Sequence, residues 1–105
     1  MKPKRFIVKS MGMRSGVVRE HITIVDEEDA HYLRSSYWLV ANSGSKTGNH
    51  QYVMRRLANG GYDYLHYVVL GAKKGEHIYH INKNTLDNRK SNLLSTKNRI
   101  QELED

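Results

Sequence analysis

Apolar and polar positions alternate through His21–Val25, "HITIV", and the β-branched residues in that stretch predict a strand. Asp26 is placed to cap a short helix through "DEEDAHYLRSS", with acids in its first turn and Arg34 near its end, as the helix dipole favours. Tyr37–Ala41 reads as a second strand, "NSGSKTGN" as a loop, and His50–Ala58 as a third strand that turns through Asn59, Gly60 and Gly61. The apolar run in "YDYLHYVVLGAKKGE" fits a strand or a short helix equally well and stops at Gly71. His77–Ile81 predicts a short strand, Asn82–Ser91 a long polar loop, and Asn92–Leu94 another short strand. Thr96 then caps a last helix through "KNRIQELE".

A chain of 105 residues leaves room for one domain with a thin core. The absence of cysteine excludes disulfide staples and thiolate zinc sites, so any metal must be held by oxygen or imidazole. The N-terminal "MKPKRFIVKS" lacks the apolar run of a signal peptide, and no segment approaches the roughly 20 apolar residues of a membrane span. The expectation is a soluble, cytoplasmic protein with no membrane contact.

Seventeen Lys and Arg against 11 Asp and Glu give a net charge of +6, which suits a polyanionic partner, because neutralising phosphates releases their counterions. The charge gathers at both ends of the chain. Residues 1–20 read as a basic N-terminal arm with Lys2, Lys4, Arg5, Lys9, Arg14 and Arg19, and a second basic run spans Lys73 to Arg99.

The stretch "LHYVVLGAKKGEHIYHINKNTLDNRKSNLLSTKN" resembles the phage-type HNH endonucleases, also called His-Me finger or ββα-metal nucleases. The match lies in the spacing of His66, Gly75, His80-Ile81-Asn82, Asn84, Asp87-Asn88-Arg89 and Asn92-Leu93. The resemblance implies a small α+β domain: a strand, helix and hairpin region over 21–62, then a ββα-metal finger over 63–105. It also implies DNA, ahead of RNA, as partner, with Mg²⁺ as cofactor if the site cleaves. Phosphodiester hydrolysis needs a base for water, charge stabilisation on the phosphate and cationic clamps. By resemblance His80 is the base and Asn92 fixes that imidazole or its loop. Arg89 and Lys90 are placed to grip phosphate, with Lys73, Lys74, Lys83, Lys97 and Arg99 as further nucleic-acid contacts.

Three positions depart from the family pattern. Tyr79 stands where many members carry an Asp metal ligand, and a neutral phenol is a poor ligand for Mg²⁺. On the last helix, where the family places an Asn ligand, the candidates are Asn98 and Gln101, each in a changed register. His66-Tyr67 replaces the usual His-Arg.

Plainer roles stand beside these. Asn82, Asn84, Asp87 and Asn88 suit Asx turns, and His66 suits an internal hydrogen bond. Trp38, Tyr37 and Tyr52 suit a core or sheet face. The resulting expectation is an HNH-like basic protein that binds nucleic acid with cleavage weakened or lost, as a DNA-binding protein or an inhibitor of a nucleic-acid-handling complex. The alternatives are an active Mg²⁺-dependent endonuclease and a purely protein-binding module.

Overall fold

Phe6 and Val8 stand two residues apart and turn to one side of a strand, leaving Arg5, Ile7 and Lys9 on the other. The computed structural model describes residues 2–11, 16, 18–42, 51–73 and 75–95. The segment expected to be a basic arm is largely strand: β1 (Pro3–Met11) pairs antiparallel with β2 (Val18–Asp26), in a register running from Pro3↔Asp26 to Met11↔Val18. The many charges around "RFIV" mask this in the sequence, because only one face of the ribbon is buried. Thr23 and Val25 on β2 point to the same inner face as Val8, and all three are buried.

After β2 the chain forms a 3₁₀ turn (Glu27–Asp29) and then α1 (Ala30–Ser35). Asp26 precedes the turn but makes no side-chain cap there; its carboxylate accepts the Lys90 backbone N–H at 3.0 Å instead. Trp38 closes the far end of α1, its indole N–H donating to the Tyr32 carbonyl at 2.7 Å. Trp38 is buried, as expected, whereas Tyr37 is exposed.

β3 (Leu39–Asn42) meets β1 in parallel through Lys9↔Leu39 and pairs antiparallel with β4 (Gln51–Arg56), where Val40 and Val53 face each other in the core. β5 (Tyr62–Tyr64) returns against β4 after a turn in which Gly60 has φ +89°, a conformation that favours glycine. The five strands lie in the order β2-β1-β3-β4-β5. Arg55 holds the β4–β5 pair from the side: it bonds Asp63 at 3.0 Å and lies 4.8 Å from the centre of the Trp38 ring.

The ambiguous apolar run is a helix, α2 (Leu65–Leu70), which buries Leu65, His66 and Val69. Gly71 at φ +62° ends it, with Gly71 N–H donating to the Val68 carbonyl and Ala72 N–H to the Tyr67 carbonyl, a Schellman stop. A short second sheet follows: β6 (Ile78–His80) pairs antiparallel with β7 (Leu93–Ser95). Ile78 and Leu93 carry this hairpin into the cluster of Val8, Val25, Trp38, Val40, Val53, Leu65 and Val69. Truncating a residue as deep as Leu65 would cost about 2–5 kcal/mol through the cavity left behind.

The chain is thus a small single domain of mixed α and β content, dominated by strands. The expected last helix lies outside the described residues. Among those residues no helix is long and apolar enough to cross a membrane.

Candidate functional site around His80

Ile78 is buried and Tyr79 exposed, and His80, half-buried, returns to the inner side of β6. By the same alternation Tyr79 points away from the His80 imidazole. From His80 the chain runs through a twelve-residue loop back to β7, and that loop is built from asparagine chemistry.

Asn92 supplies its frame. Its buried side chain accepts the Asn82 backbone N–H at 3.0 Å and donates to Asn82 Oδ1 and to the Asp87 carbonyl, both at 2.9 Å. Asx turns follow in series: Asn84 N–H donates to Asn82 Oδ1, Leu86 N–H to Asn84 Oδ1, and Arg89 N–H to Asp87 Oδ1. Of the two roles expected for Asn92, the structure gives it the loop.

Asn88 holds the imidazole. Its fully buried Oδ1 lies 2.9 Å from His80 Nε2, while its Nδ2 donates to Thr23 Oγ1 at 3.0 Å and toward the Leu86 carbonyl at 3.4 Å. Thr23 Oγ1 donates in turn to the Leu86 carbonyl at 2.7 Å. A carbonyl can only accept, so the network fixes the amide with its oxygen toward His80. His80 Nε2 must then carry the proton, which leaves Nδ1 with the lone pair. The backbone reinforces this link: Ile24 N–H donates to the Leu86 carbonyl and Asn88 N–H to the Ile24 carbonyl, so the loop adds to the outer edge of β2.

Burial pushes the His80 pKa below its ordinary value, against the opposing Asn88 hydrogen bond and the Asp87 charge. The ring is therefore a neutral imidazole at pH 7. Its neighbours are aromatic: Tyr52 lies 6.3 Å away and His66 4.9 Å away between ring centres. His66 is buried, and its Nδ1 has no hydrogen-bond partner, so the internal hydrogen bond expected of it is not made there. Desolvation, with the nearby His80, lowers its pKa to about 3.

The cations divide into two groups. Lys73 and Lys83 are exposed. Lys83 sits in the turn after His80, where its N–H donates to the His80 carbonyl, and has φ +64°, left-handed backbone that L side chains rarely adopt. Arg89 is committed to Asp87, through Nε at 2.8 Å and Nη2 at 2.7 Å. That pairing, aided by Asn82, holds the Asp87 carboxyl below the usual range although burial opposes it. Lys90 Nζ lies 2.8 Å from Glu28 Oε1 and from both carboxylate oxygens of Asp29. Lys74, Lys97, Arg99, Asn98 and Gln101 lie outside the described residues.

A hard divalent ion such as Mg²⁺ wants several oxygen donors. Among the described residues the one group of three or more His, Asp or Glu donors close enough to share an ion is Asp26, Glu28 and Asp29. The Lys90 ammonium and backbone N–H already bind those carboxylates. Around His80 no three His, Asp or Glu side chains among the described residues come close enough to share an ion. The two shallow grooves beside Arg56, lined by Tyr37, Arg55 and Gly60 among others, share no residue with this site.

No family model, curated protein or solved structure matches the chain.

The HNH reading of His80 accordingly rests on motif spacing alone. Sequence reasoning placed His80 on a short strand before an Asn-rich loop. It missed Thr23 and assigned Asn88 only a turn, since the pair lies 65 residues apart in the chain.

Proposed function

We propose that the protein is a basic nucleic-acid-binding domain of HNH type in which Mg²⁺-dependent cleavage is weakened or lost. One observation carries this reading: His80 is held as an oriented, neutral base, yet among the described residues no group of three His, Asp or Glu donors gathers around it to share an ion. Tyr79, at the position of the usual ligand, is exposed, and Asp87, the nearest acid in the motif, is saturated by Arg89 and Asn82.

In this reading the exposed Lys83, three residues after His80 in the chain, meets a phosphate, and Lys73 adds charge before β6. Arg5 and Lys9, on the exposed face of β1, extend the polyanion-binding surface. Arg89 and Lys90 instead hold the loop in shape. His80 Nδ1 retains the lone pair needed to take a proton from water, and the Nε2–H bond to Asn88 would strengthen as the ring becomes charged.

The orientation of His80 favours a second reading, an active HNH endonuclease. Plasmid DNA at low salt with Mg²⁺ decides between them, wild type beside His80→Ala. A gel shift without nicking in either protein is the expected result. Nicking that disappears in His80→Ala establishes the endonuclease, and absence of any shift removes the nucleic-acid reading altogether.

A further inference from the structure

The imidazoles of His66 and His80 lie with their ring centres 4.9 Å apart and their planes at 56°. Among the described residues, each has a ring nitrogen that makes no hydrogen bond. His66 Nδ1 is buried and unpartnered in a residue only 4% exposed, and His80 has its lone pair on Nδ1 because Asn88 accepts the hydrogen bond of Nε2–H. A buried polar atom with no partner carries an uncompensated desolvation cost, so its persistence calls for an explanation.

We propose that His66 and His80 form a two-imidazole site for a borderline transition-metal ion, of the class of Zn²⁺, Ni²⁺ or Co²⁺.

The geometry matches in scale: an ion bonding two imidazole nitrogens at about 2.0–2.1 Å in a tetrahedral arrangement brings the ring centres roughly 5 Å apart. The donor type agrees as well. Neutral imidazole suits zinc, nickel and copper, whereas Mg²⁺ prefers oxygen donors. The surroundings supply the outer contacts a metal-bound histidine uses. Asn88, held by Thr23, fixes the second nitrogen of His80, and the Tyr52, Tyr64 and Tyr67 rings confine His66 at 4.8–5.5 Å between centres. The inference rests on the two rings and holds or fails independently of any reaction with nucleic acid.

The test is titration of the full chain with Zn²⁺ alone by calorimetry, repeated with Co²⁺ while its visible absorption is followed, at pH 7.5 and without nucleic acid. The expected result is one equivalent of bound ion that a large excess of Mg²⁺ does not displace. Binding should weaken by about tenfold or more in His80→Gln and in His66→Phe, which keeps an aromatic ring in the slot, and should be unchanged in the exposed-surface control His31→Gln. If His66→Phe does not fold, as judged by circular dichroism, His80→Gln decides. Absence of a bound equivalent in the wild type, or binding that survives His80→Gln, overturns the proposal.

Discussion

Asn88 Oδ1 accepts the hydrogen bond of His80 Nε2–H at 2.9 Å, and the same amide donates to Thr23 on a strand that lies 65 residues earlier. One buried side chain therefore joins the first hairpin of the fold to the imidazole of its most chemically suggestive residue. This fixes the ring tautomer from inside the core.

Replacing Asn88 by Ala leaves His80 Nε2–H without its acceptor and Thr23 without a donor. The expected loss of stability is about 2–3 kcal/mol. Two-bond ¹H–¹⁵N spectra of the ring should show Nε2–H in the wild type and a mixture of tautomers in Asn88→Ala. An unchanged tautomer in the variant would show that Asn88 does not set it.

Lys90 is expected to matter for folding more than for binding. Its ammonium faces Asp29, which is buried, while Lys90 itself is partly exposed. Lys90→Met should lower stability by about 1–2 kcal/mol, below the cost of breaking a fully buried pair. Urea titration measures this, and the slope of log K against log salt for DNA should stay the same.

Lys83 should show the reverse. Its backbone lies in the left-handed region, so Lys83→Gly relieves about 0.5–1 kcal/mol of strain. If the ammonium contacts a phosphate, the same change weakens DNA binding and reduces the salt slope by about one. A variant that is more stable yet binds less well separates the two effects within one residue.

The buried His66 predicts acid sensitivity in the chelator-treated protein. Its pKa falls from 6.5 to about 3 in the fold, where Tyr52, Tyr64, Tyr67 and His80 surround it. The unfolded chain therefore binds the proton first. The stability associated with neutral His66 is fully present above pH 6.5 and drains away as pH falls toward 3, by up to about 1.4 kcal/mol per pH unit. Urea midpoints of the wild type should fall more steeply across this window than those of His66→Phe. Parallel curves would assign the acid loss to other groups.

The sequence by itself determined the local elements. Alternation located the strand at His21–Val25, the Tyr37–Ala41 and His50–Ala58 segments read as strands, Gly60 marked a turn, and the polar run after His80 announced an Asx-built loop. Each of these signals is carried by residues only a few positions apart, so it can be read before any tertiary contact exists. Only tertiary structure decided that the basic start of the chain is β1, since its exposed face conceals the strand. It also turned the six residues after Tyr64 into a helix, by packing Leu65 and Val69 into the core while Gly71 stopped the turn. The same holds for the site. Asn88 against Thr23, Lys90 against Asp29 and His66 against His80 are contacts between distant segments, and chain spacing carries no information about which polar atoms meet once the core has closed.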